Sequence, residues 1–372
     1  MLCFDQLKGR LPSLDGWRAI AITMVMLTHF WAANNFHRDG IFVRYLTLQG
    51  TLGVRIFFVL SGFLITYLLL IEHQKTNKIS LRNFYIRRVL RIFPVYFCYL
   101  LVLLSLALAR FYRDSLLAWI GAFTFTRDLI GQGRSATGHF WSLAVEEQFY
   151  VAWPIVLVAF DLPRRQRLAI AILASVMVIC FLARLVQCDE PTLVCRTILR
   201  PFSPLMYMDS IAVGCLAAVA VTSQRAPDLK NRTLRVAAIA SAIMLIVSTT
   251  LIDLENKLLI STVVTCQAFL IAVCIVASAT AKSGLAFWFL NRPIVVKLGL
   301  ISYSLYVWHL MFLSYFIGDW AEKSPLYDWR VWWIWPLLIA CVSFYCFETP
   351  ILGLKRRFSS VAAQVQQSTV GP

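Results

Sequence analysis

Arg18 and His29 stand eleven residues apart in LDGWRAIAITMVMLTHFW. If that stretch is helical, eleven steps of 100° overshoot three turns by only about 20°, so both side chains leave one face roughly 16 Å apart along the axis. A cation at one end and an imidazole deep in an apolar run could bind an anion and move a proton. The plainer reading is an arginine that snorkels to lipid headgroups and a packed, hydrogen-bonded histidine. In NFYIRRVLRIFPVYF, Arg88 and Arg91 share a face at i,i+3 with Arg87 beside them. Guanidinium forks suit phosphate oxygens, whereas a simple topology signal would be met equally well by lysine.

A third cluster is HFWSLAVEEQFYVAWP, where Glu146 and Glu147 follow Trp141 and Ser142 into an apolar segment. Neighbouring helical positions diverge by about 100°, so one carboxylate can face the interior while the other lies against another helix. Each then needs a cationic partner or a proton, and an ion pair between helices would serve as well as chemistry. Arg55 and Ser61-Gly62 in GVRIFFVLSGFLIT, Asp209 in YMDSIAVG, His309 in ISYSLYVWHL and Glu348 in FETP are weaker signals, each on its own more often a packing residue.

These residues must be held by membrane-spanning helices. Of 372 residues, 59% are hydrophobic and 15% charged, against roughly 25% charged in a soluble domain, and the mean hydropathy is +0.71. Apolar stretches near residues 16–33, 50–71, 92–109, 141–160, 168–187, 203–222, 234–252, 258–278, 297–317 and 331–350 are each long enough to cross a hydrocarbon layer of about 30 Å. The expectation is an all-α polytopic membrane protein with about ten transmembrane helices. Residues 1–358 form one domain, followed by a disordered cytoplasmic tail over 359–372. The first segment lacks a small-residue cleavage site, so it reads as a retained helix. The stretch 116–126, LLAWIGAFTFT, is apolar but too short to span, which suggests a re-entrant or interfacial segment beside a polar interior.

The formal charge of +16 would suggest nucleic acid for a soluble protein. Here the bases cluster in short connections, around residues 75–91, 164–167, 225–235, 282–297 and 355–357. They report orientation and attraction to anionic lipid, with both termini cytoplasmic and no nucleic-acid partner. Ten cysteines form no CxxC pair, so no metal cluster is expected. Cys188 and Cys195 sit in the polar stretch QCDEPTLVC, which the topology puts on the outer face, where an oxidising compartment could join them.

The chain resembles the membrane-bound acyltransferase-3 family. LDGWRAIAITMVMLTHF, GVRIFFVLSGFLIT, RRVLRIFPVYF, FWSLAVEEQFY, ISYSLYVWHL and FETP match it in family order across nearly the whole length. The resemblance implies a ten-helix domain of the bacterial inner membrane. Such a domain takes an acyl group, usually acetyl, from cytoplasmic acyl-CoA to a hydroxyl of a carbohydrate or lipid-linked glycan at the envelope. The family's Arg-x10-His pair falls on Arg18 and His29, its Arg-x-x-Arg pair on Arg88 and Arg91, and its WSLxxE glutamate on Glu146. His29 and Glu146 are then the expected catalytic residues. Arg18, Arg88 and Arg91 are expected to hold the donor, with Ser61, Trp141, Ser142, Tyr303 and His309 in support. Many members carry a C-terminal hydrolase-like domain, and this chain reads as a form without it.

A secondary transporter or flippase for a glycan precursor is the main rival, although no internal repeat with paired broken helices is evident. A non-catalytic scaffold is the third reading. Nothing in the sequence identifies the acceptor, the acyl length, direct or covalent transfer, or the oligomeric state. The topology itself is testable at Cys188 and Cys195. A membrane-impermeant maleimide should label both in intact cells only after reduction. Label before reduction removes the bridge but keeps the loop outside, and label only after permeabilisation reverses the orientation.

Overall fold

The computed structural model describes residues 12–33, 41–130, 135–186, 203–223, 231–251, 256–313, 317 and 332–354. Among them every regular element is helical. The helices are α1 (Pro12–Ala33), α2 (Ile41–Thr76), α3 (Leu81–Leu108), α4 (Leu116–Phe123), α5 (Phe140–Ala159), α6 (Gln166–Leu185) and α7 (Met208–Thr222). They continue with α8 (Asn231–Leu251), α9 (Lys257–Thr280), α10 (Leu285–Leu290), α11 (Pro293–Leu300), α12 (Ser302–Trp308), α13 (Ile334–Val342) and α14 (Thr349–Leu354). Cys188, Cys195 and the tail after residue 358 lie outside the described residues.

The protein is an all-α polytopic membrane protein. Among the described residues seven helical runs, in α2, α3, α5, α6, α8, α9 and Ile334–Leu354, are long and apolar enough to cross a membrane, and α11 with α12 makes an eighth, bent by 51°. The other two expected spans are helical but fall short by different measures. At 15 residues α7 is short, and α1 has the length but carries Asp15, Arg18 and His29 within it. Leu101, Leu108, Val151, Val178 and Ile239 keep their side chains outward and exposed, as a lipid-facing surface requires.

Local sequence explains the element boundaries that matter for the interior. Helix α1 opens on Pro12, whose missing N–H costs nothing at a helix start, with Asp15 in the first turn favouring the positive end of the helix dipole. Ser80 caps α3, its Oγ accepting from the Asn83 N–H at 3.4 Å. Directly after Val342, the last residue of α13, the chain adopts a π-helical turn, Ser343–Glu348, which re-aims Glu348 inward.

The apolar segment before α5 folds back against α3 and α5. Ser115 caps α4, whose Ala118, Gly121 and Ala122 are buried while Leu116, Leu117 and Ile120 face outward. The Tyr96 hydroxyl donates to the Ala122 carbonyl at 2.7 Å, and the Phe125 ring stacks on Tyr96 at 4.4 Å. Gln148 donates to the Phe125 carbonyl at 3.3 Å and to the Asp128 carboxylate at 3.1 Å. Since Gln148 lies eight residues into α5, the segment dips about 12 Å beside that helix. It then returns, and Tyr99 donates to the Ala136 carbonyl at 2.7 Å.

Helices α2 and α7 touch through glycine. A Cβ on Gly62 would overlap the Ile211 carbonyl oxygen, and one on Gly214 would overlap the Val59 carbonyl oxygen, so only glycine admits this approach. Gly62→Val or Gly214→Val should lower the thermal midpoint in detergent, by about 1–3 kcal/mol of stability. Gly353→Ala, which meets open space, should leave the midpoint unchanged in the same measurement.

Candidate functional site

A cleft opens among α1, α2, α3, α5 and α12, with an empty volume of about 750 Å³ including its open mouth. Arg18, Arg88, Arg91, Ser61, Ser142, Glu146 and Tyr303 all line it, so members of three separate sequence clusters converge with Ser61 and Tyr303. The geometry follows from helix periodicity. Val54, Phe57, Phe58 and Ser61 of α2 form one stripe, as do Ser142, Leu143, Glu146, Glu147 and Tyr150 of α5.

The three arginines are not equivalent. Arg18 pairs with Asp15 at 2.9 Å, one turn back on α1. Arg91 pairs with Glu348 at 3.2 Å, and Ser304 also hydrogen-bonds that carboxylate. Arg88 has neither an ion pair nor a hydrogen bond among the described residues. Its guanidinium lies over the Tyr150 ring at 4.9 Å and the Phe84 ring at 5.6 Å, cation–π contacts that leave its N–H fork for an incoming anion.

Glu146 and Glu147 both line the cleft, although helix geometry allowed one of them to lie against another helix. Glu146 accepts from Ser61 Oγ at 2.9 Å and from the Tyr150 hydroxyl at 3.3 Å. Tyr150 also donates to Ser61 at 2.9 Å. Glu147 keeps a buried Oε1 without a hydrogen-bond partner.

At the inner end the Ser142 and Tyr306 hydroxyls are 2.6 Å apart, and Tyr306 donates onward to the His139 carbonyl at 2.7 Å. Behind them lie three imidazoles. His309 Nε2 is 3.1 Å from His29 Nδ1, and the His139 and His309 rings are 5.1 Å apart. Thus His29 meets His309, not Glu146, whose hydrogen bonds go to Ser61 and Tyr150. Trp141 packs on Tyr207 at 4.7 Å, beside the cleft lining. Among the described residues no His, Cys, Asp or Glu group is arranged to hold a metal ion.

Sequence reading did not select Tyr150, Tyr306 or His139. His139 stands three residues before Ser142 in HFWSLAVEE, and Tyr306 three before His309, so helical spacing from chosen residues could have found both. A separate polar cluster joins α6, α7 and α9, where Arg184 pairs with Asp209 at 2.7 Å and bonds Thr265 at 2.7 Å. Nearby, Arg55 hydrogen-bonds Gln267 of α9.

A polytopic helical membrane domain with this cleft agrees with what sequence comparison finds. The family profile described as "Acyltransferase domain" (Acyl_transf_3) matches residues 11–348, and the chain belongs to that family of acyltransferases. It is 25% identical over 378 residues to the "Putative peptidoglycan O-acetyltransferase YrhL" of Bacillus subtilis, covering 92% of this chain and 55% of that protein. It is 27% identical over 368 residues to the "O-acetyltransferase OatA" of Staphylococcus aureus, covering 92% of this chain and 57% of that one. The chain therefore spans a little over half the length of these relatives. No solved structure matches it.

The unequal pairing of the arginines makes a stability prediction. Arg91→Ala leaves the Glu348 carboxylate, 2% exposed, without its cation, and should cost roughly 3–5 kcal/mol. Arg88→Ala removes no ion pair and should leave the thermal midpoint in detergent nearly unchanged.

Proposed function

We propose that this protein transfers an acyl group, acetyl in the simplest case, from cytoplasmic acyl-CoA to a hydroxyl of an envelope carbohydrate. The acceptor class follows from the relatives named for O-acetylation, one of them for peptidoglycan. In this reading the chain sits in the bacterial inner membrane with both termini cytoplasmic. The observation that carries it is the cleft, with the guanidinium of Arg88 at one end and a hydroxyl pair backed by imidazoles at the other.

Phosphates of the donor engage Arg88, with Arg18 and Arg91 adding positive potential while remaining paired. The pantetheine arm then runs inward over the roughly 16 Å by which eleven helical residues separate Arg18 from His29. The acceptor hydroxyl attacks the thioester carbonyl. A neutral ring nitrogen of His29 takes the hydroxyl proton, the C–O bond forms, and the C–S bond breaks with its electron pair on sulfur. His29 returns the proton to the thiolate. A transient acyl-imidazole would use the same nitrogen as nucleophile. Glu146, held by Ser61 and Tyr150, supplies negative charge near Arg88 and steadies that side of the cleft.

Mass spectrometry of envelope glycans from cells with and without the protein tests the activity, because transfer adds one acyl mass to the acceptor. His29→Ala should lower product formation by about 10² to 10⁴ while the protein stays inserted. Arg88→Lys should raise KM for acetyl-CoA more than it lowers kcat, since phosphate binding is shared by ground and transition states. Near-normal product from His29→Ala removes the proposed base. Glycan movement across the membrane without any mass change turns the reading to a flippase.

A further inference from the structure

We infer that His309 is a positioning residue that holds the His29 imidazole with its proton on Nδ1 and its lone pair on Nε2. This role rests on the acyl-transfer reading, which makes that lone pair the base. The tautomer assignment follows from the hydrogen bonds alone.

A carbonyl fixes the first proton. His309 Nδ1 lies 2.8 Å from the Tyr306 carbonyl oxygen, and a carbonyl can only accept, so this nitrogen carries a proton. The His309 side chain is wholly buried, and a charge there without an ionic partner would be costly. The ring is therefore neutral and its Nε2 is an acceptor. His29 Nδ1, 3.1 Å away, must donate to it. His29 also bonds the Val25 carbonyl one turn back, and on a helix the proximal Nδ1, not the distal Nε2, reaches that oxygen. Both acceptors thus require the same tautomer.

The fold supports His309 for this task. It begins a 3-10 turn directly after α12, so the chain changes pitch where the imidazole must face α1. The His139 ring meets it at 77°, and His139 is itself tied by Nε2 to the Val307 carbonyl at 3.2 Å. The Tyr306 ring, 5.7 Å away, fills the side towards the cleft. These rings and His29 are the titratable groups packed on His309.

The test uses the full chain in lipid nanodiscs with acetyl-CoA as donor. His309→Ala should lower kcat about ten- to a hundredfold, the range in which outer partners of metal-bound imidazoles act, with KM for acetyl-CoA little changed. The loss should be smaller than for His29→Ala because Val25 still accepts. His309→Gln offers an amide oxygen near the former Nε2 position and should recover most of the lost kcat. Wild-type kcat in His309→Ala, or a glutamine variant no better than alanine, overturns the proposal. Independently of activity, ¹⁵N spectra of histidine-labelled protein, with the His29 signals identified from His29→Gln, should show Nδ1 protonated at neutral pH. An Nε2-protonated ring or an imidazolium overturns the assignment. A wild-type protein that shows this tautomer but transfers no acyl group removes the catalytic reading while leaving the tautomer intact.

Discussion

A guanidinium or carboxylate withdrawn from water needs a counter-charge, a set of hydrogen bonds or a bound ligand. Much of the interior arrangement follows from that requirement. Arg91 on α3 fixes the last span through Glu348, and Arg184 on α6 fixes α7 through Asp209. Helices that would otherwise pack through interchangeable apolar surfaces thereby gain a defined register. Arg88 is different because its aromatic partners leave its N–H groups uncommitted. The constraint that builds the bundle is thus met at Arg88 by aromatic faces in place of a counter-charge.

Breaks in the helices have a related cause. Irregular backbone at membrane depth exposes carbonyls that lipid cannot satisfy. Tyrosine hydroxyls meet that need here. Tyr96 donates to Ala122 and Tyr99 to Ala136 along the segment between α3 and α5, Tyr306 donates to His139 before α5, and Tyr303 donates to Ile92 within α3. Each bond ties an irregular or neighbouring segment to a long helix. The 51° bend between α11 and α12 and the π-helical turn that ends at Glu348 then place polar groups where straight helices would not.

Periodicity made much of this legible. The i,i+3 pair Arg88 and Arg91, the buried end of α1 and the short segment at Leu116 are all local patterns, and local patterns survive folding because helix geometry fixes them. Partner choice is another matter. Glu146 meets Ser61, 85 residues distant in sequence, and His29 meets His309, 280 residues distant. Those pairings depend on how α1, α2, α5 and the bent pair dock, which no single segment encodes. The same limit explains Glu147, whose place in the cleft depends on the spacing of whole helices. It also explains α7, where residues 203–222 read as one span but helix begins only at Met208, after a short 3-10 turn.

The two carboxylates of the cleft differ as the arginines do. Glu146 has both oxygens engaged by hydroxyls, whereas Glu147 has an orphaned oxygen and shares the cavity with Arg88. A hydroxyl can satisfy a carboxylate without cancelling its charge, so the two bonds fix the geometry of Glu146 in either protonation state. An anion entering beside Arg88 would meet both carboxyl groups close by, and binding there requires that its contacts with the guanidinium outweigh their repulsion wherever they carry charge.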